Sequence, residues 1–300
     1  MLDKEKIASE FMLLQDRICH SLAEFDTKSG FIEDVWKRNE GGGGRSRILE
    51  GGRLFEKAGV NFSKVFGTVP DFLIEDKLKG DRASQFFATG VSIVIHPKNP
   101  WVPIIHMNIR YFETDQGKCW FGGGIDLTPH YVVASDAKYF HTELKRICDL
   151  HPAADYVKYK VEADNYFFIP HRNETRGIGG IFFDHLIPED EIKKNDLFNF
   201  VKDIGNLFAP MYKEIVRRNM DKSFNDRDLK WQRIRRGRYV EFNLVYDRGT
   251  RFGLETNGRT ESILMSLPPQ AEWNYNYIAE PGTKESETLA FLKKGINWLE

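Results

Sequence analysis

Three polar residues that could bind an acidic small molecule occupy alternate positions in the segment 101–112. Successive side chains of a β-strand point to opposite faces, so His106, Asn108 and Arg110 share one face if this segment is a strand. The planar guanidinium of an arginine pairs with a carboxylate through two parallel hydrogen bonds. The segment therefore predicts a carboxylate-binding face. An ordinary solvated sheet face is the alternative, although such faces more often carry Lys, Glu and Thr.

A second segment, which ends at His96, is also apolar and β-branched, and it places Ser92 on the same face as His96. If the two segments pair, a hydroxyl and a second imidazole join the polar face. Asp126 follows the run Gly122–Gly123–Gly124, where the missing side chains allow a ligand to approach the backbone. Asp126 could serve such a ligand or could accept hydrogen bonds within its own turn.

Two further patterns are candidates for binding. The stretch 256–262 is polar and contains Gly258 and Arg259, which suggests a second carboxylate clamp. Four histidines could ligate a metal, although their spacing matches no known metal motif: His96, His106, His141 and His171. The glycine run 41–44 lacks the Gly-Lys-Ser or Gly-Lys-Thr ending of a phosphate loop, so a nucleotide site is not expected.

Composition excludes several classes of protein. The chain has 300 residues and a formal net charge of −1, whereas a general nucleic-acid-binding protein usually carries a basic excess. Three cysteines without CxxC spacing indicate neither a disulfide framework nor a zinc ribbon and favour a reducing compartment. The first 22 residues lack the features of a signal or transit peptide, and no apolar run reaches the roughly 20 residues of a membrane span. We expect a soluble cytoplasmic protein.

The order of the predicted elements indicates an α+β protein with one domain over residues 1–300. Helices are expected over 4–25, 135–149 with Ser135 as N-cap, 153–164, 189–219 with a break near Pro210, 226–236 and 284–298. Strands are expected over 86–95, 101–112, 118–127, 178–183, 239–246 and 264–267. Three successive strands with short connections predict an antiparallel meander covered by helices.

Six stretches of the sequence resemble the oxygen-dependent coproporphyrinogen III oxidases, in the expected order and over almost the whole chain. They read GGGGRSRILEGGRLFEKAGVNFS, FFATGVSIVIHPKNPWVPIIHMNIRYFE, WFGGGIDLTP, FFIPHRNETRGIGGIFFD, RGRYVEFNLVYDRGT and GRTESILMSLPP. Six long matches are far more specific than any short motif.

The resemblance implies a large curved antiparallel sheet with helices on both sides, assembled as a homodimer through about residues 239–273. It implies that two propionates of coproporphyrinogen III become vinyl groups, with loss of CO2, to give protoporphyrinogen IX in heme biosynthesis. O2 would be the electron acceptor and would leave as hydrogen peroxide. No flavin, nicotinamide or heme is implied, and such enzymes differ in whether a divalent metal is reported.

The resemblance also implies roles for particular residues. The proton donor falls on His106 and the essential carboxylate on Asp126, while the histidines suggested as metal ligands are the four named above. Substrate contacts fall on Ser92, Asn108, Ile109, Arg110, Asn257, Gly258 and Arg259. Asn257 departs from the family's usual glycine, but asparagine tolerates positive φ better than most residues.

The resulting hypothesis is substrate-assisted oxidation. Asp126 would hold or deprotonate a pyrrole N–H, the electron-rich ring would add O2, and the peroxide would take a hydrogen from the propionate as CO2 leaves. Arg110 and Arg259 would hold propionates, and His106 would supply a proton. A metal hydrolase based on the four histidines and a non-catalytic tetrapyrrole carrier are the competing functions.

Overall fold

A seven-stranded antiparallel sheet organises the protein. The computed structural model describes residues 2–26, 30–69, 83–255 and 258–300, so the predicted contact at Asn257 lies outside the described residues. The described strands of the sheet have the order β1-β2-β3-β4-β5-β6-β9. They are β1 (Ile32–Lys37), β2 (Gly42–Glu50), β3 (Phe55–Thr68), β4 (Gln85–Pro97), β5 (Ile104–Thr114), β6 (Cys119–Thr128) and β9 (Gly180–Leu186). Two short strands, β7 (Phe168–Ile169) and β8 (Glu174–Thr175), pair separately.

The predicted meander is confirmed, because β4, β5 and β6 pair consecutively and antiparallel. The prediction from sequence does not include β3. Along β3, Ala58, Gly59, Val60 and Phe62 are buried, and the half-buried Asn61 lies between the last two. Small and polar residues in this strand weaken the hydrophobic alternation that identifies a strand.

The two faces of the sheet differ in what covers them. On one face, Met107 and Ile109 of β5 belong to a continuous apolar core with side chains of four helices, among them Phe11, Phe140 and Phe208. On the other face, Tyr239 packs against Val94 and Ile104. The described helices are α1 (Lys4–Ala23), α2 (Ala134–Leu150), α3 (Tyr156–Tyr166), α4 (Glu191–Asn219), α5 (Asp226–Val245), α6 (Arg248–Glu255), α7 (Thr260–Leu264) and α8 (Lys284–Phe291). Helices therefore flank both faces, and the α+β prediction is confirmed.

Helix ends follow local side-chain chemistry at several positions. Asp3, Asp155 and Asp190 each accept a backbone N–H from the first turn of α1, α3 and α4. The prediction of Ser135 as an N-cap is wrong, because α2 begins at Ala134 and Val133 occupies the cap without a side-chain hydrogen bond.

Helix α4 is continuous over 29 residues, although Pro210 lies inside it. Proline removes one intrahelical hydrogen bond and disfavours the helix at the preceding turn. Leu207, Phe208, Met211 and Tyr212 on either side are all buried. Burial of these large side chains offsets the local cost, so the predicted break does not occur.

The strands predicted at 239–246 and 264–267 are wrong. Residues 226–245 form α5, which begins with a capping box between Asn225 and Asp228 and buries Trp231 and Phe242. Residues 260–264 form α7. Alternation of apolar and polar residues over only eight positions does not distinguish a strand from a helix. Here the segment continues a helix that the capping box starts at Asn225.

None of the helices within the described ranges combines the length and the apolar character needed to cross a bilayer.

Candidate active site

Polar side chains from three adjacent strands meet on the face of the sheet that α5 covers. Asn108 pairs in register with Ser92 of β4, and His106 pairs with Asp126 of β6. His106, Asn108 and Arg110 are all half-buried, whereas the intervening Met107 and Ile109 are fully buried in the core. The predicted polar face is confirmed. The Ile109 side chain lies on the opposite face, so only its backbone could contact a ligand here.

Asp126 is the most enclosed member of this face, with 1% of its surface exposed. It lies within β6 and not in a turn. Its Oδ1 accepts a hydrogen bond from His106 Nδ1 at 2.8 Å, and both of its oxygens accept from Arg176 at 2.8 Å. Burial raises the pKa of Asp126, but the charge of Arg176 and the hydrogen bond from His106 outweigh it, so the pKa lies below its ordinary value. Asp126 is therefore a carboxylate at neutral pH.

Arg176, which the sequence prediction omitted, is the buried partner of Asp126. Its guanidinium is buried between the rings of Phe167, Tyr239 and Phe242, at 4.5, 4.7 and 4.6 Å from their centroids. A further hydrogen bond of 2.7 Å joins it to Asn243 Oδ1. Stacking on aromatic rings stabilises a buried guanidinium that already faces a carboxylate. The sequence around Arg176, a single arginine before the run Gly-Ile-Gly-Gly, carries no signal of its pairing with Asp126, 50 residues away.

Arg110 lies two residues after Asn108 along β5, on the same face of the sheet. Its Nη2 donates to Asp184 Oδ1 at 2.7 Å and its Nη1 to Asn108 Oδ1 at 3.0 Å. Asp184, on β9, is a second residue that sequence reasoning missed. Burial raises the pKa of Asp184, but the charges and hydrogen bonds of Arg110 and His185 together outweigh burial, so this pKa lies below its ordinary value. The Arg110 guanidinium is therefore fixed by two protein side chains and is 37% exposed, and its role as a carboxylate clamp stays a prediction.

Residues 258–267 cross over the polar face of β2, β3 and β4. Asn61 donates to the Ser262 carbonyl at 2.8 Å, and His96 Nε2 donates to the Ser266 carbonyl at 2.8 Å. Arg259 pairs with Asp34 of β1. The structure thus brings Arg259 to the sheet's polar side, where it is held by an acidic residue as Arg110 is.

The four histidines do not form a common donor set. His96 and His141 are fully buried, and burial lowers their pKa values to about 3 and about 4. His141 bonds to the Tyr156 hydroxyl and the Ile178 carbonyl within the apolar core, while His171 bonds to Glu241 and Tyr246. In the described ranges, no group of three or more His, Cys, Asp or Glu side chains is arranged to hold a metal ion. The fold therefore does not bring the four predicted histidines together as one metal site.

Comparisons with known proteins identify the family of this chain. A sequence model for the family described as "Coproporphyrinogen III oxidase" matches residues 6–298. The "Oxygen-dependent coproporphyrinogen-III oxidase" of Prochlorococcus marinus (strain MIT 9312) is 44% identical over 319 aligned positions, covering 99% of this chain and 93% of the relative. The "Oxygen-dependent coproporphyrinogen-III oxidase, mitochondrial" of Rattus norvegicus is 47% identical over 99% of this chain and 70% of its own length. This chain belongs to the coproporphyrinogen III oxidase family.

Proposed function

We propose that the protein oxidatively decarboxylates two propionates of coproporphyrinogen III to vinyl groups, giving protoporphyrinogen IX in heme biosynthesis, with O2 as electron acceptor. The observation that carries this proposal is the hydrogen-bonded array of His106, Asp126 and Arg176 beside the half-buried guanidinium of Arg110. The array offers proton transfer next to a carboxylate-binding group. The names of the relatives point to the same oxygen-dependent reaction.

Each decarboxylation balances with one O2. A propionate (R–CH2–CH2–COO⁻), one O2 and one proton give a vinyl group, CO2 and hydrogen peroxide. The carbon chain loses two electrons and O2 gains them, so no flavin or nicotinamide is needed for the electron balance. The electron-rich porphyrinogen itself supplies the electrons.

His106 is the residue of the array that can reach a ligand. Because its Nδ1 donates to Asp126, its Nε2 faces away from Asp126, and no protein group within the described ranges hydrogen-bonds this nitrogen. Asp126 has both oxygens occupied and is almost fully enclosed. In this proposal His106 exchanges the proton with the substrate. Asp126 holds the imidazole in the required tautomer, and Arg176 keeps Asp126 ionised.

Two arginines would hold propionates at the edges of this array. Arg110 presents part of its guanidinium to solvent beside Asn108 and Ser92, and Arg259 lies on the segment that crosses the sheet. Guanidinium groups can bridge two carboxylates because they have five N–H donors. The protein acid at each arginine therefore leaves donors for the substrate. Backbone groups at residues 257–258 would complete the contacts.

We also propose a homodimer and a cytoplasmic location. The segment 239–273 exposes several large apolar side chains, which a second copy could cover: Leu244, Val245, Leu254 and Trp273. The three cysteines, Cys19, Cys119 and Cys148, are free and buried, which suits a reducing compartment. Sedimentation at micromolar concentration would test the dimer, since a mass of one chain contradicts it.

The deciding experiment is anaerobic incubation with coproporphyrinogen III followed by admission of O2, with a chelator in a parallel sample. We expect loss of two CO2 per molecule only after O2 enters, with the same rate in the chelator sample. Dependence on added metal would show that the reaction needs a divalent metal ion. Binding without decarboxylation under any condition would replace the enzyme with a tetrapyrrole carrier.

A further inference from the structure

The guanidinium that would clamp the substrate already holds a carboxylate of the protein. Arg110 Nη2 donates to Asp184 Oδ1 at 2.7 Å, and the two side chains are 37% and 21% exposed. A propionate that approaches Arg110 therefore meets a guanidinium whose charge is largely neutralised. Arg110 is too exposed to need a countercharge for its burial, so the position of Asp184 calls for another explanation.

The backbone and a glycine fix Asp184 in this position. His185 has a φ of 53°, in the left-handed region that residues other than glycine rarely adopt, and its N–H donates to Asp184 Oδ1 at 3.0 Å. The His185 ring stacks on Trp120 at 5.0 Å and 15°. Gly122 leaves the space for the ion pair, because a Cβ there would lie 2.7 Å from Asp184 Oδ1 and 2.9 Å from Arg110 Cζ. Local strain of this kind persists where the surrounding structure imposes it, and it concentrates at functional sites.

We propose that Asp184 determines how tightly Arg110 holds a propionate, by acting as an internal competitor for the same guanidinium. This inference rests on the proposed function. Asp184 both orients Arg110, together with Asn108, and lowers its affinity for a second carboxylate through like-charge repulsion. The result is a clamp that is well positioned but weak.

A weak clamp suits the proposed reaction. Two propionates on different pyrrole rings must each reach the array of His106, Asp126 and Arg176, and the described ranges contain one such array in the chain. The macrocycle must therefore leave its first position and bind again in a second one. An arginine without a competing carboxylate would hold the propionate longer and slow this exchange.

The test uses Asp184→Asn, because asparagine keeps an oxygen that accepts from Arg110 while it removes the charge. Coproporphyrin III, the oxidised and unreactive form, serves as a fluorescent probe. We expect its dissociation constant to fall about two- to fivefold, the range for charge effects at partly exposed positions. The turnover number should fall while KM also falls. Asp196→Asn on α4 makes the same charge change at an exposed position away from the polar face and should leave the probe's affinity unchanged.

A double-mutant cycle ties the effect to Arg110. In an Arg110→Ala background, Asp184→Asn should change the probe's affinity by less than about a third of its effect in the wild-type background. A general charge effect would persist in that background and would overturn the inference.

Unchanged or weaker binding by Asp184→Asn also overturns it, as does a matching gain in Asp196→Asn. If the asparagine variant fails to fold, Asp184→Ser provides the same charge change with a smaller acceptor and the same expected direction. If the wild-type protein neither binds the probe nor releases CO2, the proposed function fails instead, which is a different outcome from a normal wild type with an unaffected variant.

Discussion

The substitution Asp126→Asn should lower both the stability of the protein and its turnover number, and the two effects can be measured separately. Asp126 accepts two hydrogen bonds from Arg176, which has 2% of its surface exposed, and one from His106. The variant leaves the guanidinium without its countercharge, and breaking a buried pair in this way costs about 3–5 kcal/mol. Asn243 and three aromatic rings still contact Arg176. We therefore expect a loss near the lower end of this range, about 3 kcal/mol.

The same substitution should affect catalysis beyond its effect on stability. Asparagine can donate to His106 Nδ1, which favours the wrong tautomer and leaves Nε2 protonated. Loss of a correctly oriented general acid–base group typically costs about 10²- to 10⁴-fold in rate. We expect the turnover number of the folded Asp126→Asn protein to fall within this range, with a smaller change in KM.

The pH dependence of this stability difference has a defined sign. The folded pKa of Asp126 lies below its ordinary value of 3.8, so its contribution is complete above that value and is lost as the pH falls through the folded pKa. The difference in unfolding free energy between wild type and Asp126→Asn should therefore be constant near neutral pH and should shrink in acid.

Urea unfolding gives the stability difference, and CO2 release per folded molecule gives the rate. The double variant Asp126→Asn, Arg176→Met serves as the control. It removes the unpaired charge, so it should recover about 1 kcal/mol or more of the lost stability while remaining inactive. Near-normal turnover in the single variant, or a stability loss below about 1 kcal/mol, would refute the assigned role of Asp126.

The contacts described above support three further predictions. Arg110→Ala should weaken coproporphyrin III binding about tenfold, on the scale of a charge-assisted hydrogen bond, with a smaller change in turnover; unchanged affinity in a fluorescence titration contradicts the clamp. Gly122→Ala should push Arg110 and Asp184 apart, because both side-chain ends can move, so probe affinity should change more than the melting temperature; the reverse pattern would place Gly122 in a purely structural role. Glu241→Gln should destabilise by about 2 kcal/mol at pH 7, because Glu241 accepts from His171, Arg172 and Trp273. Burial raises the pKa of Glu241 while these hydrogen bonds lower it to about 2, so unfolding titrations should show the stabilisation disappear as the pH falls from 4.5 toward 2.

The sequence determined the polar face of the site because strand periodicity is local. Alternation along β5 places His106, Asn108 and Arg110 together whatever the rest of the chain does, and Ser92 joins them once two successive strands with a short connection pair. The family can also be recognised from the sequence alone, because six long stretches of residues carry the resemblance.

Only the tertiary structure decided which residues pair with the side chains of that face. Arg176 and Asp184 reach Asp126 and Arg110 from 50 and 74 residues away, and no local pattern encodes such pairs. The sequence also offered His96 and His141 as metal ligands, but both are buried and hydrogen-bonded to backbone carbonyls.

The segment 239–246 shows the same limit for secondary structure. Its alternation suggested a strand, yet residues 239–245 are the last part of a 20-residue helix whose capping box lies at Asn225. Tyr239 and Phe242 both pack against Arg176 because residues three positions apart lie on the same face of a helix. In a strand these two side chains would point to opposite faces. Local pattern therefore places side chains on a face, whereas burial and long-range charge pairing decide their partners, because both depend on parts of the chain that meet only in the folded protein.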